Sequence, residues 1–336
     1  MQKSDLYFDY PEMLVATERK PQSRVMLVEK EEPSEITMSQ LLTMIGPDDI
    51  LVINETKVIP ARVFSEDGLE ILFIENIKDN QWQVLCPARK WPKGKDLILP
   101  GGVTLKLIQT GLPQIVEASD QLTEAYFFEN GDMPLPPYIQ QARGERRSKD
   151  SDKDMYQTAW ANEVGSLAAP TASLHFSNED LIKIKNRGAQ VEKICLHVGL
   201  GTFLPIHADN LEDHKMHSEF VHIPKSVWNK VQEVKDHGGK VWALGSTVTR
   251  ALESVDKEKL KLTDSGYTGH TDLFIKPGFE YQVVDCLMTN FHQPESTLLA
   301  MVMAFTDVQI TKDCYEWAIE RQYRLFSYGD LSVWLK

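Results

Sequence analysis

The chain has 336 residues, of which 42% are apolar and 25% charged, and this length is enough for about two domains. Its net charge is −13, so its acidic surface repels nucleic-acid phosphates at long range. Its four widely spaced cysteines form no CxxC pair, which argues against a disulfide framework or a cysteine-rich zinc site and fits a reducing compartment. The N-terminus lacks the apolar run of a signal peptide and no window approaches about 18 uninterrupted apolar residues, so we expect a cytoplasmic protein that spans no membrane.

The first half of the chain is rich in short β-type runs. Ile50–Asn54 is an apolar run that ends in a polar residue, which predicts a buried strand. From about residue 63 to 130, runs separated by Gly, Pro, Asn and Asp predict a small antiparallel barrel or sandwich; they are LEILFIENI, WQVLCPA, DLILP, VTLKLI, PQIVEAS and AYFFE. The prolines in 131–137 predict a stiff segment where the chain leaves this β-rich region. The charged stretch that follows, up to Asp154, is predicted to be an exposed, mobile loop.

After Tyr156 the pattern alternates strand, loop and helix. Strands are predicted in VEKICLHV, KVWAL and QVVDCLMTNF, and helices over 248–255 and 297–305. Polar clusters follow these strands at 199–202, 245–247 and 292–296, and Asn54-Glu55-Thr56 follows the first strand in the same way. Because ligands of open α/β sheets bind beyond the carboxyl ends of the strands, we expect a ligand site there.

These patterns predict an α/β main domain with an inserted all-β, antiparallel barrel-like smaller domain. The α/β catalytic domain would be discontinuous, comprising residues 1–62 plus 150–336, and the inserted domain would comprise residues 63–149. Such an insertion is plausible because surface loops tolerate inserted domains.

Two local clusters of cations could contact RNA despite the acidic net charge. The stretch 89–95 interleaves a tryptophan with four cations, and 143–149 is a second cluster. The alternative for each cluster is an ordinary solvated loop. The tRNA-contact candidates are Arg89, Lys90, Lys93, Arg143, Arg146 and Arg147.

Four histidines, His207, His214, His217 and His222, lie close together around Glu219. Two imidazoles and a carboxylate suit zinc or iron, but the spacing is not that of the helical zinc motif. Catalytic or ligand-binding use of His214 or His217 is one alternative to a metal site, and a structural role is the other. We expect no metal.

Glycine-rich turns follow two of the predicted strands. Gly199-x-Gly201-Thr202 lets backbone approach a ligand, although such turns also serve as simple connectors. Gly245-Ser246-Thr247 opens a helix whose free N–H groups favour polar or anionic atoms; the alternative is that Ser246 or Thr247 is an ordinary N-cap. Two polar-aromatic clusters, 156–158 and 328–330, could stack a base or close the core.

In chain order, nine stretches closely resemble one family, the S-adenosylmethionine:tRNA ribosyltransferase-isomerases of queuosine biosynthesis. The match is collinear over nearly the whole chain. The stretches are LVINETKVIPAR (51–62), GDMPLPPYI (131–139), YQTAWA (156–161), AAPTASLHF (168–176), LHVGLGTF (196–203), HKMHSE (214–219), TDLFIKPG (271–278), TNFHQPESTLL (289–299) and YRLFSYGD (323–330).

The resemblance implies that the ribosyl part of S-adenosylmethionine is transferred to a 7-aminomethyl-7-deazaguanine base at the tRNA wobble position. It is isomerised there to an epoxycyclopentane, which gives epoxyqueuosine, adenine and methionine. S-adenosylmethionine would be a co-substrate, with no permanently bound cofactor and no metal. The implied partner is tRNA with a queuosine-type anticodon, the implied fold is an α/β domain with a β-barrel domain, and we expect a cytoplasmic monomer.

The implied chemistry requires a base for the 5′-carbon beside the sulfonium, a proton donor or hydrogen bond for departing adenine, and loss of a proton from the amine. The catalytic candidates are His197, His217, Glu219 and His175, with His197 or His217 as the base and Glu219 as its orienter. Arg62 and Arg250 would bind carboxylate or phosphate oxygens, and Tyr156, Phe176 and Phe203 would stack a base. The remaining binding candidates are Asn54, Thr56, Tyr138, Gln157, Thr158, Pro170, Thr171, Gly199, Gly201, Thr202, His214, Thr247, Asn290, His292, Ser296, Tyr328 and Asp330.

The chain departs from the family pattern at Ser173 and Ser246, where the family has glycine, and its N-terminal segment is shorter. These departures motivate an alternative, a catalytically impaired tRNA-binding homologue of the same fold. A third class is a metal-dependent hydrolase built on the cluster from His207 to His222.

Overall fold

The computed structural model describes residues 1–91, 94–199, 201, 206 and 208–336. In the first half the strands are β1 (Val25–Glu29), β2 (Glu32–Ile36), β3 (Ile50–Asn54), β4 (Thr56–Val58), β5 (Arg62–Phe64), β6 (Glu70–Lys78), β7 (Gln81–Leu85), β8 (Leu97–Ile98), β9 (Thr104–Gln109) and β10 (Gln114–Ala118). In the second half they are β11 (Glu163–Ser166), β12 (Gln190–Leu196), β13 (Glu219–Pro224), β14 (Val241–Leu244), β15 (Lys261–Leu262), β16 (Gly266–Thr271), β17 (Cys286–Asn290) and β18 (Leu331–Leu335).

The helices alternate with the strands mainly in the second half. They are α1 (Met38–Met44), α2 (Glu124–Asn130), α3 (Pro137–Arg143), α4 (Asp152–Met155), α5 (Asn178–Asn186), α6 (Lys225–Asp236), α7 (Ser246–Asp256), α8 (Thr297–Phe305) and α9 (Val308–Glu320). Short 3-10 helices cover Lys3–Leu6, Glu12–Leu14, Ala88–Lys90, Pro100–Gly102, Thr171–His175 and Leu211–Asp213. Within the described part of the chain, no helix is long and apolar enough to cross a membrane.

The larger sheet is mixed. Over the described residues it has ten strands in the order β15-β16-β13-β12-β3-β14-β17-β18-β1-β2. The neighbouring strands β12, β3, β14 and β17 run parallel to one another, so their carboxyl ends meet at one edge. The predicted strand-end clusters therefore converge there, as expected from the sequence.

Both faces of this sheet are covered, which follows from the two-residue periodicity of strand side chains. In β3, Leu51 and Ile53 pack in a cluster with side chains of α1 and α5. Their neighbours Ile50 and Val52 pack on the other face with α6, α7, α8 and α9. A parallel strand covered on both faces is apolar throughout, and this explains the unbroken run ILVI.

The second large sheet is antiparallel and, in the described chain, has the order β5-β6-β7-β10-β9-β8. Its apolar cluster runs from Ala61 to Phe127, with Leu167 added. The sheet curls so that the Glu66 N–H donates to the Ile98 carbonyl across its two edges at 2.8 Å. A mixed α/β layer and a curled antiparallel sheet are thus both present, while the domain limits of 1–62 plus 150–336 and 63–149 remain a prediction.

One local prediction in this region is wrong, and a second is confirmed only in part. The run AYFFE lies in α2, whose N-cap Thr123 accepts a hydrogen bond from the Tyr126 N–H at 3.3 Å, because five residues are too few to separate strand from helix by periodicity. The stretch up to Asp154 is largely exposed, as predicted, but it contains α3 and α4, and Asp152 within it is fully buried. The ion pair between Arg143 and Asp152 orders this stretch, and no pattern in the sequence predicts that pair.

Asn54, the last residue of β3, joins the strand ends. Its Nδ2 donates to the Leu196 carbonyl at 2.9 Å, and its Oδ1 accepts from the Leu196 N–H at 3.1 Å. Oδ1 also accepts from the Thr56 N–H at 3.1 Å, and Nδ2 lies 3.3 Å from Thr247 Oγ1 at the start of α7. One amide side chain therefore continues the β3–β12 ladder where the two main chains diverge.

Replacing Asn54 with alanine would leave the buried N–H and C=O of Leu196 and the N–H of Thr56 without partners. Each such loss costs about 1–3 kcal/mol, so we expect the free energy of unfolding in urea to fall by about 3 kcal/mol or more. Asn162→Ala is the matched control, because Asn162 is exposed. Equal stability of the two variants would contradict the assignment.

Candidate functional site

A cavity of about 850 Å³ opens at the carboxyl edge of the parallel strands. Its volume lies in the range of sites that enclose small organic ligands, about 300–1,000 Å³. The walls come from strand ends, the starts of α3, α7 and α8, and the segment before β13. The lining segments are 136–138, 168–172, 213–217, 245–247, 289–298 and 326–327, with Gln141, Tyr156, Val198, Gly201, Ile206, Ala208, Glu219 and Arg250.

A buried ion pair, Glu219–Arg250, forms part of the cavity wall. The two side chains are 2% and 9% exposed. Glu219 Oε1 also accepts from the Gly199 N–H at 2.9 Å, so this carboxylate is engaged by Gly199 and Arg250 rather than by a histidine. Burial lowers the pKa of Arg250 to about 10, and its Nε has no hydrogen-bond partner among the described residues.

The first turn of α7 reaches the same cavity through Gly245, Ser246 and Thr247. The N-cap is Gly245, whose φ of 101° favours glycine, and it supplies no side-chain cap. The alternative that Ser246 or Thr247 is the N-cap is therefore wrong. In α8 the N-cap is Ser296, whose hydroxyl accepts from the Leu299 N–H at 3.1 Å.

Three of the predicted histidines line the cavity. His217 is exposed to it, and His214 packs edge-on to Phe274 with the ring centroids 5.4 Å apart. His292 is buried, and its Nε2 lies 2.8 Å from Thr289 Oγ1. Burial lowers the pKa of His292 to about 3, which keeps this ring neutral at physiological pH.

His175 lies behind the cavity wall. Its Nε2 is 3.0 Å from Asn290 Nδ2 and its Nδ1 is 2.6 Å from Ser23 Oγ. Because the Asn290 amide donates to Nε2, the ring proton is on Nδ1 and is donated to Ser23. Burial, with the nearby Arg19 and Arg324, lowers the pKa of His175 to about 3. His175 thus fixes the orientation of Asn290, which does line the cavity.

His197 is not part of the cavity lining. Its Nδ1 lies 2.8 Å from Thr56 Oγ1, and its ring stacks on Phe220 with the centroids 5.6 Å apart. Gly165 packs against the ring so closely that an added Cβ would lie 2.8 Å from Nε2. Burial lowers the pKa of His197. The structure therefore separates the two proposed bases, with only His217 at the cavity.

Several predicted binding residues do meet at the cavity. The phenol of Tyr138 is hydrogen-bonded to the Ser327 hydroxyl, and Tyr156 packs edge-on to Tyr328 at 5.9 Å. Burial raises the pKa of Tyr138 to about 12, so its hydroxyl keeps its proton. The predicted binding residues in the lining are Tyr138, Tyr156, Pro170, Thr171, Gly201, His214, Thr247, Arg250, Asn290, His292 and Ser296.

Other predicted binding residues have structural contacts instead. Arg62 donates to the Leu135 carbonyl at 2.9 Å and pairs with Glu70, with Nε and Oε1 3.2 Å apart. Asp330 accepts from the N–H groups of Arg24 and Arg324. The predicted residues that do not line the cavity are Asn54, Thr56, Arg62, Gln157, Thr158, Phe176, Gly199, Tyr328 and Asp330. Thr202 and Phe203 lie outside the described residues.

Sequence reasoning missed Asp213, Lys215, Met216, Phe291 and Ser327, all of which line the cavity. The first three lie in or beside the stretch HKMHSE, so their closeness to this motif was the signal in the sequence that could have found them.

The two departures from the family pattern, Ser173 and Ser246, differ in position. Ser246 lines the cavity, whereas Ser173 is fully buried outside it, and its hydroxyl has no partner in the described part of the chain.

Only some of the predicted tRNA-contact cations are available to contact a phosphate. Arg89, Lys90, Arg146 and Arg147 are exposed, while Lys93 lies outside the described residues. Arg143 forms a bidentate pair with Asp152, at 2.7 and 2.9 Å, and donates to the Thr17 carbonyl. It is therefore engaged in a buried ion pair and is not available for a phosphate.

The structure describes the predicted histidine cluster only in part. Among the residues that the structure describes, no group of three or more His, Cys, Asp and Glu side chains could hold a metal ion. His207, the first histidine of that cluster, lies outside the described residues.

A cavity at the carboxyl ends of parallel strands, with several polar groups in its wall, is typical of α/β proteins that bind a ligand. The family model described as "Queuosine biosynthesis protein" matches residues 3–333, and the chain belongs to this family. Two similar proteins, from Halothermothrix orenii and Carboxydothermus hydrogenoformans, are each named S-adenosylmethionine:tRNA ribosyltransferase-isomerase. Each is 42% identical over 340 residues, covering 96% of this chain and 97% of the relative.

A crystal structure of S-adenosylmethionine tRNA ribosyltransferase from Thermotoga maritima is also similar. It is 29% identical, with a TM-score of 0.56, and the match covers 99% of this chain and 100% of that one. The likeness therefore extends over both sheets.

Replacing Arg143 with alanine would leave the fully buried Asp152 carboxylate without its cation. Breaking a buried pair in this way costs about 3–5 kcal/mol, so we expect a loss of that order in the free energy of unfolding. Arg146→Ala is the matched control and should change stability by less than about 0.5 kcal/mol. If both variants were equally stable, the ion pair would not be structural.

Proposed function

We propose that this protein is an S-adenosylmethionine:tRNA ribosyltransferase-isomerase that converts 7-aminomethyl-7-deazaguanine at the tRNA wobble position to epoxyqueuosine. Adenine, methionine and one proton are the other products. The observation that carries the proposal is 42% identity with relatives of this name over 96% of the chain. Membership of the queuosine biosynthesis family supports it.

The cavity suits a ligand with apolar, cationic and zwitterionic parts. Its volume of about 850 Å³ leaves room for S-adenosylmethionine and an inserted base. The aromatic rings of Tyr138, Tyr156 and Phe291 lie in its wall, and such rings favour a soft sulfonium cation. Thr171 and Asn290 are hydrogen-bonded to each other in the wall at 2.9 Å, and an asparagine amide matches the edge of adenine.

Among the proposed bases, His217 is favoured because it lines the cavity whereas His197 does not. In this proposal His217 accepts the proton from the 5′-carbon beside the sulfonium. His175 and His292 are neutral by burial, so they serve as hydrogen-bond partners and position neighbouring groups. Adenine then leaves with one proton, and the amine loses a proton and forms the new C–N bond. Closure of the carbocycle and its epoxide, with departure of methionine from the sulfonium, completes the transfer and isomerisation.

The curled antiparallel sheet is proposed as a barrel-like domain with limits at 63–149. Its exposed cations Arg89 and Lys90, together with the exposed Arg146 and Arg147 near its C-terminal limit, would contact tRNA phosphates. A monomer in the cytoplasm, without a permanent cofactor or metal, completes the proposal. The catalytically impaired tRNA-binding homologue stays the alternative. It is motivated by the predicted departures from the family pattern at Ser173 and Ser246, of which Ser246 lines the cavity.

The enzyme and the binding module differ in one measurable product. Incubation with S-adenosylmethionine and tRNA carrying 7-aminomethyl-7-deazaguanine should release adenine in proportion to epoxyqueuosine formed. His217→Ala should lower kcat by about 10²–10⁴-fold, as expected for loss of a general base. The control is His237→Ala, at an exposed histidine outside the cavity, and it should react normally. Complete absence of adenine release from the wild-type protein would favour the binding module.

Charge reversal tests the phosphate contacts. Arg146→Glu and Arg147→Glu should each weaken tRNA binding and lower the salt slope by about one, because each contacted phosphate releases a counterion. Lys261→Glu applies the same charge change at an exposed position of β15 and should leave the slope unchanged. An unchanged slope in the arginine variants would remove this surface from the interface.

A further inference from the structure

The cavity wall holds opposite charges in a buried, partly unsatisfied arrangement. Arg250 and Glu219 pair with each other, are 9% and 2% exposed, and both line the cavity. Arg250 Nε has no partner in the described residues. A buried guanidinium is normally satisfied through most of its five donors, so this side chain has capacity for a further acceptor.

The start of α7 faces the same space. Gly245 caps this helix of 11 residues without a side chain, and Ser246 and Thr247 line the cavity with Arg250 one turn further on. The free N–H groups of an uncapped helix start carry partial positive charge and favour carboxylates. Helix start and guanidinium therefore offer donors to one anionic group.

We propose that Arg250, Glu219 and the start of α7 form the subsite for the α-amino acid end of S-adenosylmethionine. The carboxylate binds Arg250 and the N–H groups at 246–247, and the α-ammonium binds Glu219. This assignment rests on the proposed function and deepens it. It makes Arg250 and Glu219 binding residues for the zwitterion, and Glu219 has no role in orienting a base.

Charge balance supports a zwitterion over a simple anion. The Arg250–Glu219 pair is neutral overall, since the cation and the carboxylate are paired. An amino acid zwitterion adds one charge of each sign and gives each buried group an opposite partner. Because an unpaired buried charge is strongly unfavourable, an arrangement in which both charges stay paired is the favourable one.

A phosphate of the tRNA would fit this place less well. It would bring negative charge next to the buried carboxylate of Glu219, and unlike a zwitterion it carries no cationic group that could pair with that carboxylate. It would also have to carry a polymer backbone down to a side chain that is 9% exposed. The exposed Arg146 and Arg147 offer phosphates an accessible alternative.

The test compares three ligands in equilibrium binding without tRNA: S-adenosylmethionine, its decarboxylated analogue, which keeps the sulfonium, and S-methyl-5′-thioadenosine, which lacks both the amino acid and the sulfonium charge. The wild-type protein should bind S-adenosylmethionine about 10- to 100-fold more tightly than either analogue, as charge-assisted pairs require. Arg250→Gln should remove the preference over the decarboxylated analogue. It should change binding of S-methyl-5′-thioadenosine by less than about threefold.

Arg250→Gln leaves Glu219 unpaired and could unfold the protein, so the double variant Arg250→Gln/Glu219→Gln is the second reagent. It replaces the ion pair by two neutral amides and should fold, yet bind S-adenosylmethionine and its decarboxylated analogue, which share the sulfonium, within about threefold of one another. Arg321→Gln, at an exposed arginine, is the matched control and should keep the wild-type preferences.

Two results would overturn the subsite. One is equal binding of S-adenosylmethionine and the decarboxylated analogue to the wild-type protein. The other is a change in tRNA salt slope, but not in S-adenosylmethionine affinity, on replacing Arg250, which would identify the anion as a phosphate. Failure of the wild-type protein to release adenine from S-adenosylmethionine with tRNA would refute the proposed function instead. The binding comparison is made without tRNA, so it distinguishes that outcome from failure of the subsite.

Discussion

The carboxyl edge of the large sheet depends on the side chain of Asn54. Where β3 and β12 diverge, their buried main-chain groups would lose their hydrogen-bond partners. The side-chain amide of Asn54 replaces these partners, because it donates one hydrogen bond to the main chain and accepts two from it. The same side chain reaches Thr247 in the first turn of α7. The position of the helix start that lines the cavity is thus tied to the end of the central strand.

From this edge outward, the polar groups fall into two kinds. One kind completes the main-chain hydrogen bonding of diverging strands, as Asn54 and Gln157 do. The other kind faces the cavity and keeps unused capacity, as Arg250 does. Residue type alone does not distinguish the two kinds, because both are polar and at least partly buried. The hydrogen-bond partner of each polar atom distinguishes them.

The sequence predicts the large-scale features well for a physical reason. Parallel strands covered on both faces are continuous apolar runs, and their polar successors must meet at one edge, so ILVIN, KVWAL and QVVDCLMTNF locate the cavity without coordinates. The same reasoning misplaces AYFFE, since five residues carry too little periodicity. It also cannot find the Asp152 partner of Arg143, because an ion pair formed across a loop leaves no periodic signal.

Side-chain direction at the strand ends is the least predictable quantity. His197 follows β12 directly and His217 lies two residues before β13, so both look equally available in sequence. In the fold His197 is enclosed by Thr56, Phe220 and Gly165, whereas His217 opens to the cavity.

Burial then divides the remaining imidazoles by chemistry. It lowers the pKa of His175 and His292 to about 3, and a ring held neutral so firmly is a poor proton acceptor near pH 7. In the proposed reaction the exposed ring of His217 is therefore favoured as the proton acceptor over these two buried rings, and this argument rests on solvation and not on a motif.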